Sequence, residues 1–469
     1  MNAQKDGLPM PRRLLAICAV SFGQALCIMD GSVANIVLPT IASDLHVDNA
    51  AAVLVITVYQ LVLLMALLPL SALGDKIGHN RLYRLGLLLF SVATALCFIA
   101  HNLPVLLVIR ALQALGAAAV LSVSMAIVKA IYPAHQLGRG LALNTIVGAS
   151  AGALAPTLGG FILGFAPWPF VFAVGAPLGI VSLLLDKALP PSEPKGGSYD
   201  LGGALLCAAM FGLTIVGVEY ANQGGAWRIA AAVVAAGLVV GFFFVRRERG
   251  RARPLMPVDL LARPDLALSL TGAALIYMGF TVLIVVLPFQ LQQGHGFTSI
   301  EVGTLMASMP IASFFIGPFA GLLSDRFRPD RLALFGSLLA VVAALALAHL
   351  PAEAGRIDIL WRLVLLGVGV SFFTGPNTRL FIGAVPGDRT AAASGLIATT
   401  RLMGQTLGAT TATLLLAIGL RDPGVTQMTV AGLFLAAGAS CLWRPTTRRS
   451  EPRWRRKDAG EGQVGAVHR

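Results

Sequence analysis

Charge is scarce in this chain. Of its 469 residues only 12% are Asp, Glu, Lys or Arg, while 56% are hydrophobic. A soluble chain of this length needs about a quarter of its residues charged. The shortage excludes an ordinary globular enzyme or soluble binding module. Cysteine is scarce too: Cys18, Cys27, Cys97, Cys207 and Cys441 each fall inside an apolar run. No pair sits in an external loop, so no disulfide framework is expected. The seven histidines are scattered, without H-E-x-x-H or similar spacing. No metal site and no cofactor is expected. Acids are outnumbered, and the net charge is +13. In a soluble protein that excess points to nucleic acid. Here the basic residues lie between apolar runs and in the tail "RRSEPRWRRKD", so they read as membrane topology, with no nucleic-acid partner.

Long apolar runs dominate what is present. Each is about 20 residues, the length that spans the hydrocarbon of a bilayer. About fourteen spans are predicted, near 13–38, 50–72, 82–101, 105–128, 140–164, 168–188, 200–220, 227–247, 265–291, 300–322, 332–350, 358–378, 391–419 and 424–443. The first follows Arg12 and Arg13 but is too long for a signal peptide and lacks its cleavage site, so it reads as a retained helix. With both termini in the cytoplasm, about 29 of the 35 Lys and Arg fall on cytoplasmic loops or tails. Arg228, Arg356, Arg362 and Arg421 fall outside, and Arg110 and Arg401 within spans. One span too many or too few would scramble this bias, so it supports count and orientation together.

Two charged, Pro/Gly-rich segments, "LPPSEPKGGSYD" and "RRERGRARPLMPVDLLARPD", isolate spans seven and eight between two sets of six. The predicted division is an N-terminal six-helix bundle (1–189), linkers with two extra helices (190–264), a C-terminal six-helix bundle (265–444) and a basic cytoplasmic tail (445–469). An internal repeat supports it. "PLSALGDKIGHNRLYRLG" follows the second span and "PFAGLLSDRFRPDRLALFG" the tenth. In both, Arg comes six residues after Asp (Asp75 to Arg81, Asp325 to Arg331) and Gly five after that (Gly86, Gly336). The same loop at the same place in two halves is the mark of a parallel-repeat transporter.

Polar residues inside apolar runs are the candidate machinery. Asp30 interrupts "CIMDGSVANIVLP", and a charge at the centre of a membrane helix costs about 2.5–3.5 kcal/mol. It lies 18 residues beyond Arg12, about 27 Å of helix. Arg110 opens "RALQALGAA", with Gln113 one turn on. Arg110 and Asp30 share a depth, and a buried carboxylate needs a partner; an interfacial, snorkelling Arg110 is the other reading. Asp75 adds nothing to topology, so it reads as a clasp at a helix end. Arg84 needs no role beyond topology. In the fifth span, Gly148, Gly152, Pro156, Gly159 and Gly160 suit either close helix packing or a hinge. Asp186, Asp200, Glu219 and Glu301 sit near span ends, where solvent is available. Arg401 either lines a cavity or pairs with a helix end.

Together these residues resemble the major facilitator superfamily, and within it the fourteen-helix drug–proton antiporter branch. "MDGSVANIVLPTI" is similar to that branch's first-helix pattern at Asp30, Asn35, Leu38 and Pro39. "GDKIGHNRLYR" resembles the loop-two motif at Gly74, Asp75, Gly78 and Arg81, and "RALQALGAA" the fourth-helix motif at Arg110, Gln113 and Gly116. "APTLGG" is similar to the fifth-helix antiporter motif at Pro156, Gly159 and Gly160. Tyr59 stands where the pattern expects it. Ala155, Leu54, Pro169 and Gly175 depart from the usual Gly, Trp, Arg and Asn.

The resemblance implies an all-α integral membrane protein of two six-helix bundles plus two extra central helices. It implies a proton-coupled antiporter that exports amphipathic drugs or metabolites by alternating access. The alternative is a proton-coupled importer of a nutrient or metabolite on the same fold. Expected partners are protons, lipid and a small amphipathic substrate. A monocation is expected over a dication, since no acid is found in the last two spans. A monomer in a bacterial inner membrane is expected. Asp30 is the expected proton site, because burial and a nearby cation act oppositely on a carboxyl's hold on its proton.

Overall fold

In the computed structural model the described residues are 7–133, 136–192, 199–249, 251, 254–351, 353–385, 390–418 and 423–443. They build sixteen helices: α1 (Arg12–Asp44), α2 (Asn49–Ile77), α3 (His79–Leu96), α4 (Leu103–Ile131), α5 (Leu137–Leu163), α6 (Pro169–Ala173), α7 (Ala176–Leu185), α8 (Leu201–Asn222), α9 (Trp227–Glu248), α10 (Val258–Leu261), α11 (Pro264–Phe289), α12 (Ser299–Arg326), α13 (Pro329–Ala348), α14 (Arg356–Gly383), α15 (Thr390–Ile418) and α16 (Pro423–Leu442). Among the described residues thirteen segments are long and apolar enough to cross a membrane, α6 and α7 counting as one over Pro169–Ala188. That span breaks where Gly175 and Pro177 interrupt the backbone ladder. The fourteenth, α15, is long enough at 29 residues but carries Arg401 and many threonines. Several of its hydroxyls bond back within the helix: Thr406 Oγ1 donates to Leu402 O at 2.8 Å and Thr413 Oγ1 to Ala409 O at 3.2 Å.

The chain crosses from a proximal end, where α1 starts, to a distal end, and back. Short polar residues set the turns. Asp48 caps α2 by accepting from Ala51 N at 2.6 Å, and Asn102 caps α4 by accepting from Val105 N at 3.0 Å. Thr298 and Glu301 form a capping box on α12. Gly78, with φ +98°, makes the α2–α3 turn that an L side chain resists.

Within each half, paired helices cross at glycine. A Cβ on Gly86 of α3 would stand 2.8 Å from Gly116 O of α4; one on Gly336 of α13 would stand 2.6 Å from Gly369 O of α14. The repeated Gly that follows the repeated Arg is therefore a helix-crossing point in both halves. Between the halves, α5 packs on α12 and α2 on α15. Helices α8 and α9 pack on each other, and α8 also touches α2 and α15. Large apolar side chains face outward, among them Phe161, Phe242, Phe315 and Leu322, the surface that lipid covers.

Arg84 and Asp186 correct the sequence reading. They form an ion pair between α3 and the end of α7, and the Asp186 side chain is only 9% exposed. Glu219 differs too. It is buried on α8 against α15, where neighbouring Asn222 Nδ2 donates to Thr410 O at 2.9 Å. Both acids sit at span ends, as expected, but face protein and not solvent.

Candidate cavity and buried ion pair

A cavity of about 720 Å³ lies between the two halves. Its wall takes Gln24, Asn35 and Tyr59 from the first half, and Tyr277, Phe314 and Gln405 from the second. Arg110 and Arg401 also line it, which settles the place of Arg401. Gly317 and Gly375, in the proximal parts of α12 and α14, line it with no atom within 4 Å of where a Cβ would stand. At the distal end the halves meet closely. A Cβ on Gly160 of α5 would collide with Ser299 O and lie 3.1 Å from Gly303 Cα of α12. Asn49 and Gln293 exchange hydrogen bonds there at 2.8 and 3.2 Å.

Asp30 and Arg110 are brought together behind this wall. Arg110 Nη1 donates to Asp30 Oδ2 at 2.8 Å and to Gln113 Oε1 at 2.8 Å. Gln113 Nε2 donates onward to Thr94 Oγ1 at 3.0 Å. The guanidinium carbon stands 4.3 Å from the centre of the Tyr59 ring and 4.8 Å from that of Phe172, an aromatic clamp on a cation. Asp30 is 2% exposed and Arg110 and Gln113 are fully buried, so Arg110 does not snorkel. Among the described residues Asp30 Oδ1 and Arg110 Nη2 have no hydrogen-bond partner. A buried pair with an orphan atom on each side is costly. Deleting either member costs more, about 3–5 kcal/mol. Thr94 had no signal of its own in the sequence; it is supplied by the neighbouring helix α3.

The remaining candidates divide between packing and turns. Asn35 bonds back to its own helix, Nδ2 to Ser32 O at 3.1 Å, one edge of it on the cavity. Gly148, Gly152 and Gly159 face Ile28 and Val33 of α1, while Gly160 and Pro156 O meet α12. The fifth-helix pattern is thus a close contact on two sides. Gly74 packs against Val123 of α4. Asp75 Oδ1 lies 3.0 Å from His79 Nε2 across the α2–α3 turn, and Arg81 is exposed. Arg331 is exposed in the repeat loop, and the side chain of Asp325 lies outside the described residues. Neither loop lies on the cavity.

The chain is similar to known transporters throughout. It is 36% identical over 444 residues to the "Uncharacterized transporter YebQ" of Escherichia coli (strain K12), covering 94% of this chain and 97% of that one. It is 27% identical to the "Riboflavin transporter RibZ" of Clostridioides difficile (strain 630), over 85% and 87% of the two chains. It is 28% identical to the "Tetracenomycin C resistance and export protein" of Streptomyces glaucescens, over 89% and 77%. A crystal structure of the nucleoside transporter NupG superposes with a TM-score of 0.65 at 12% identity, over 92% of this chain and 100% of that one. The profile of the Major Facilitator Superfamily matches residues 20–409 and again 269–464. A profile that matches most of the chain, and a transporter relative 36% identical over nearly all of it, agree with helices packed around a central cavity: the chain is a multi-pass membrane transporter and belongs to the Major Facilitator Superfamily.

Proposed function

We propose that this transporter is a proton-coupled antiporter of the fourteen-helix drug–proton branch, exporting amphipathic drugs or metabolites across a bacterial inner membrane. Both termini are cytoplasmic in this reading, and the units are 1–189, 190–264, 265–444 and 445–469, acting as a monomer. The observation that carries it is the Asp30–Arg110–Gln113 cluster, held between the cavity wall and the distal seal. A proton arriving on Asp30 discharges the carboxylate and frees Arg110, whose interactions with Gln113 and Tyr59 then rebalance. Losing a buried ion pair changes which packing of the two halves is stable, and that links proton occupancy to the side on which the cavity opens. Export is supported by the name of the Streptomyces relative and by the close-packed fifth helix.

Import on the same fold is the second reading, favoured by the relative described as a riboflavin transporter. Everted membrane vesicles separate the two. With an acid interior imposed, an exporter accumulates drug inside the vesicle and alkalinises its lumen. Accumulation only in right-side-out vesicles identifies an importer.

A further inference from the structure

The cavity wall carries two charges of one sign. Arg110 and Arg401 line it, and no described Asp or Glu does. Arg110 is already compensated by Asp30, 2.8 Å away and behind it. Arg401 is not: among the described residues no carboxylate pairs with it. It is exposed between buried neighbours Thr400 and Leu402. It sits eleven residues into the 29-residue α15, about 17 Å from the helix start, and so far from either membrane surface. An uncompensated guanidinium at that depth is expensive and calls for a function.

We infer that the substrate is an amphipathic monoanion, its acidic group held by Arg401. The inference rests on the transport reading above and reverses the expected monocation. The nearby polar groups suit an oxyanion. Tyr277 of α11 lines the same cavity, packed where α11 meets Gly404, and Gln405 is one turn beyond Arg401. Tyrosine hydroxyl and glutamine amide donate, and a guanidinium binds a carboxylate or sulfonate through two parallel bonds. The apolar body then lies on Phe280, Phe314, Met306 and Met309, soft and aromatic surfaces that accept varied shapes. A cation entering this cavity meets Arg401 and, among the described residues, finds the nearby carboxylate of Asp30 shielded by Arg110.

Matched probes test this on the purified full-length protein in lipid nanodiscs. Anilinonaphthalene sulfonate and phenylnaphthylamine share an aromatic body and differ by the anionic group; ethidium supplies the cation. The wild type is expected to bind the sulfonate most tightly. Arg401→Gln should weaken the sulfonate roughly tenfold or more, the scale of one charged hydrogen bond, and leave the neutral amine unchanged. Arg401→Lys should recover part of the loss. Equal or tighter ethidium binding by the wild type overturns the inference, as does an Arg401→Gln protein of normal melting temperature with the sulfonate preference intact. Amine flux in everted vesicles reads the export proposal separately, because it does not depend on the charge of the ligand.

Discussion

Asp30 and Arg110 meet through a single nitrogen. Nη1 is divided between the carboxylate at 2.8 Å and Gln113 at 2.8 Å, while Nη2 and Oδ1 have no hydrogen-bond partner among the described residues. The arrangement is strong enough to hold and incomplete enough to be exchanged. Asp30→Asn keeps the shape and cannot ionise. It is expected to fold, to bind substrate, and to lose uphill transport on a pH gradient together with proton release on substrate binding. Coupled transport by a well-expressed Asp30→Asn protein removes Asp30 as the proton site. Arg110→Ala, which leaves the carboxylate alone, should cost about 3–5 kcal/mol of stability, read as a lower melting temperature.

Gly160 and Gly303 set the distal seal. Gly160→Ala drives a methyl into the Ser299 carbonyl and the α12 backbone, which cannot move aside as a flexible side chain does. Overpacking of this kind costs about 1–3 kcal/mol, and the two halves should separate distally. A cysteine placed at Asn49 should then label faster with a membrane-impermeant thiol reagent than in a Gly160 background. Unchanged labelling means the contact does not close the path.

The turn at Asp75 should act on rate more than on affinity. Asp75→Asn weakens its contact with His79, 3.0 Å away, and leaves the cavity wall untouched. Turnover is expected to fall several-fold with substrate affinity within error of wild type. Normal turnover at normal expression removes the clasp role.

Helices α8 and α9 should stand apart from the substrate path. Gly212 of α8 faces Met65 of α2, and Gly237 of α9 faces Thr214 of α8. Neither residue is on the cavity. Cysteines at these positions are expected to resist hydrophilic reagents that label a cysteine at Gln405.

Asp200 gives a pH-dependent contribution to stability. Burial opposes its charge, but the Arg247 hydrogen bond at 2.9 Å, the Gly203 amide and Arg251 outweigh it and hold the carboxyl below its ordinary value. A lowered value in the folded state means that the stabilisation is complete above the unfolded value, about 3.9, and disappears as pH falls through the folded one. Between pH 5 and pH 8 the melting temperature of wild type should exceed that of Asp200→Asn by a constant margin, which closes only below about pH 4. A margin that varies across the neutral range counts against this assignment.

The spans and the repeat were legible because hydropathy and loop spacing are local quantities. Asp30 was legible because an acid in an apolar run is anomalous wherever it points. Its pairing with Arg110 was legible only as a shared depth, since helix rotation is set by packing with other spans. The same limit hid three other residues. Glu219 is at a span end, but its face meets α15. Asp186 is at a span end, but Arg84 reaches it from α3. Arg401 is mid-span, and only the fold turns it to the cavity. In each case the deciding partner is far away in sequence.

The paired glycine crossings have a mechanical consequence. Backbone meets backbone at Gly86 with Gly116 and at Gly336 with Gly369. Joints so tight leave no slack for sliding, so α3–α4 and α13–α14 behave as welded struts. Strain raised when Asp30 changes charge then cannot be dissipated inside a half. It is passed on to the two seams between the halves, α5 against α12 and α2 against α15.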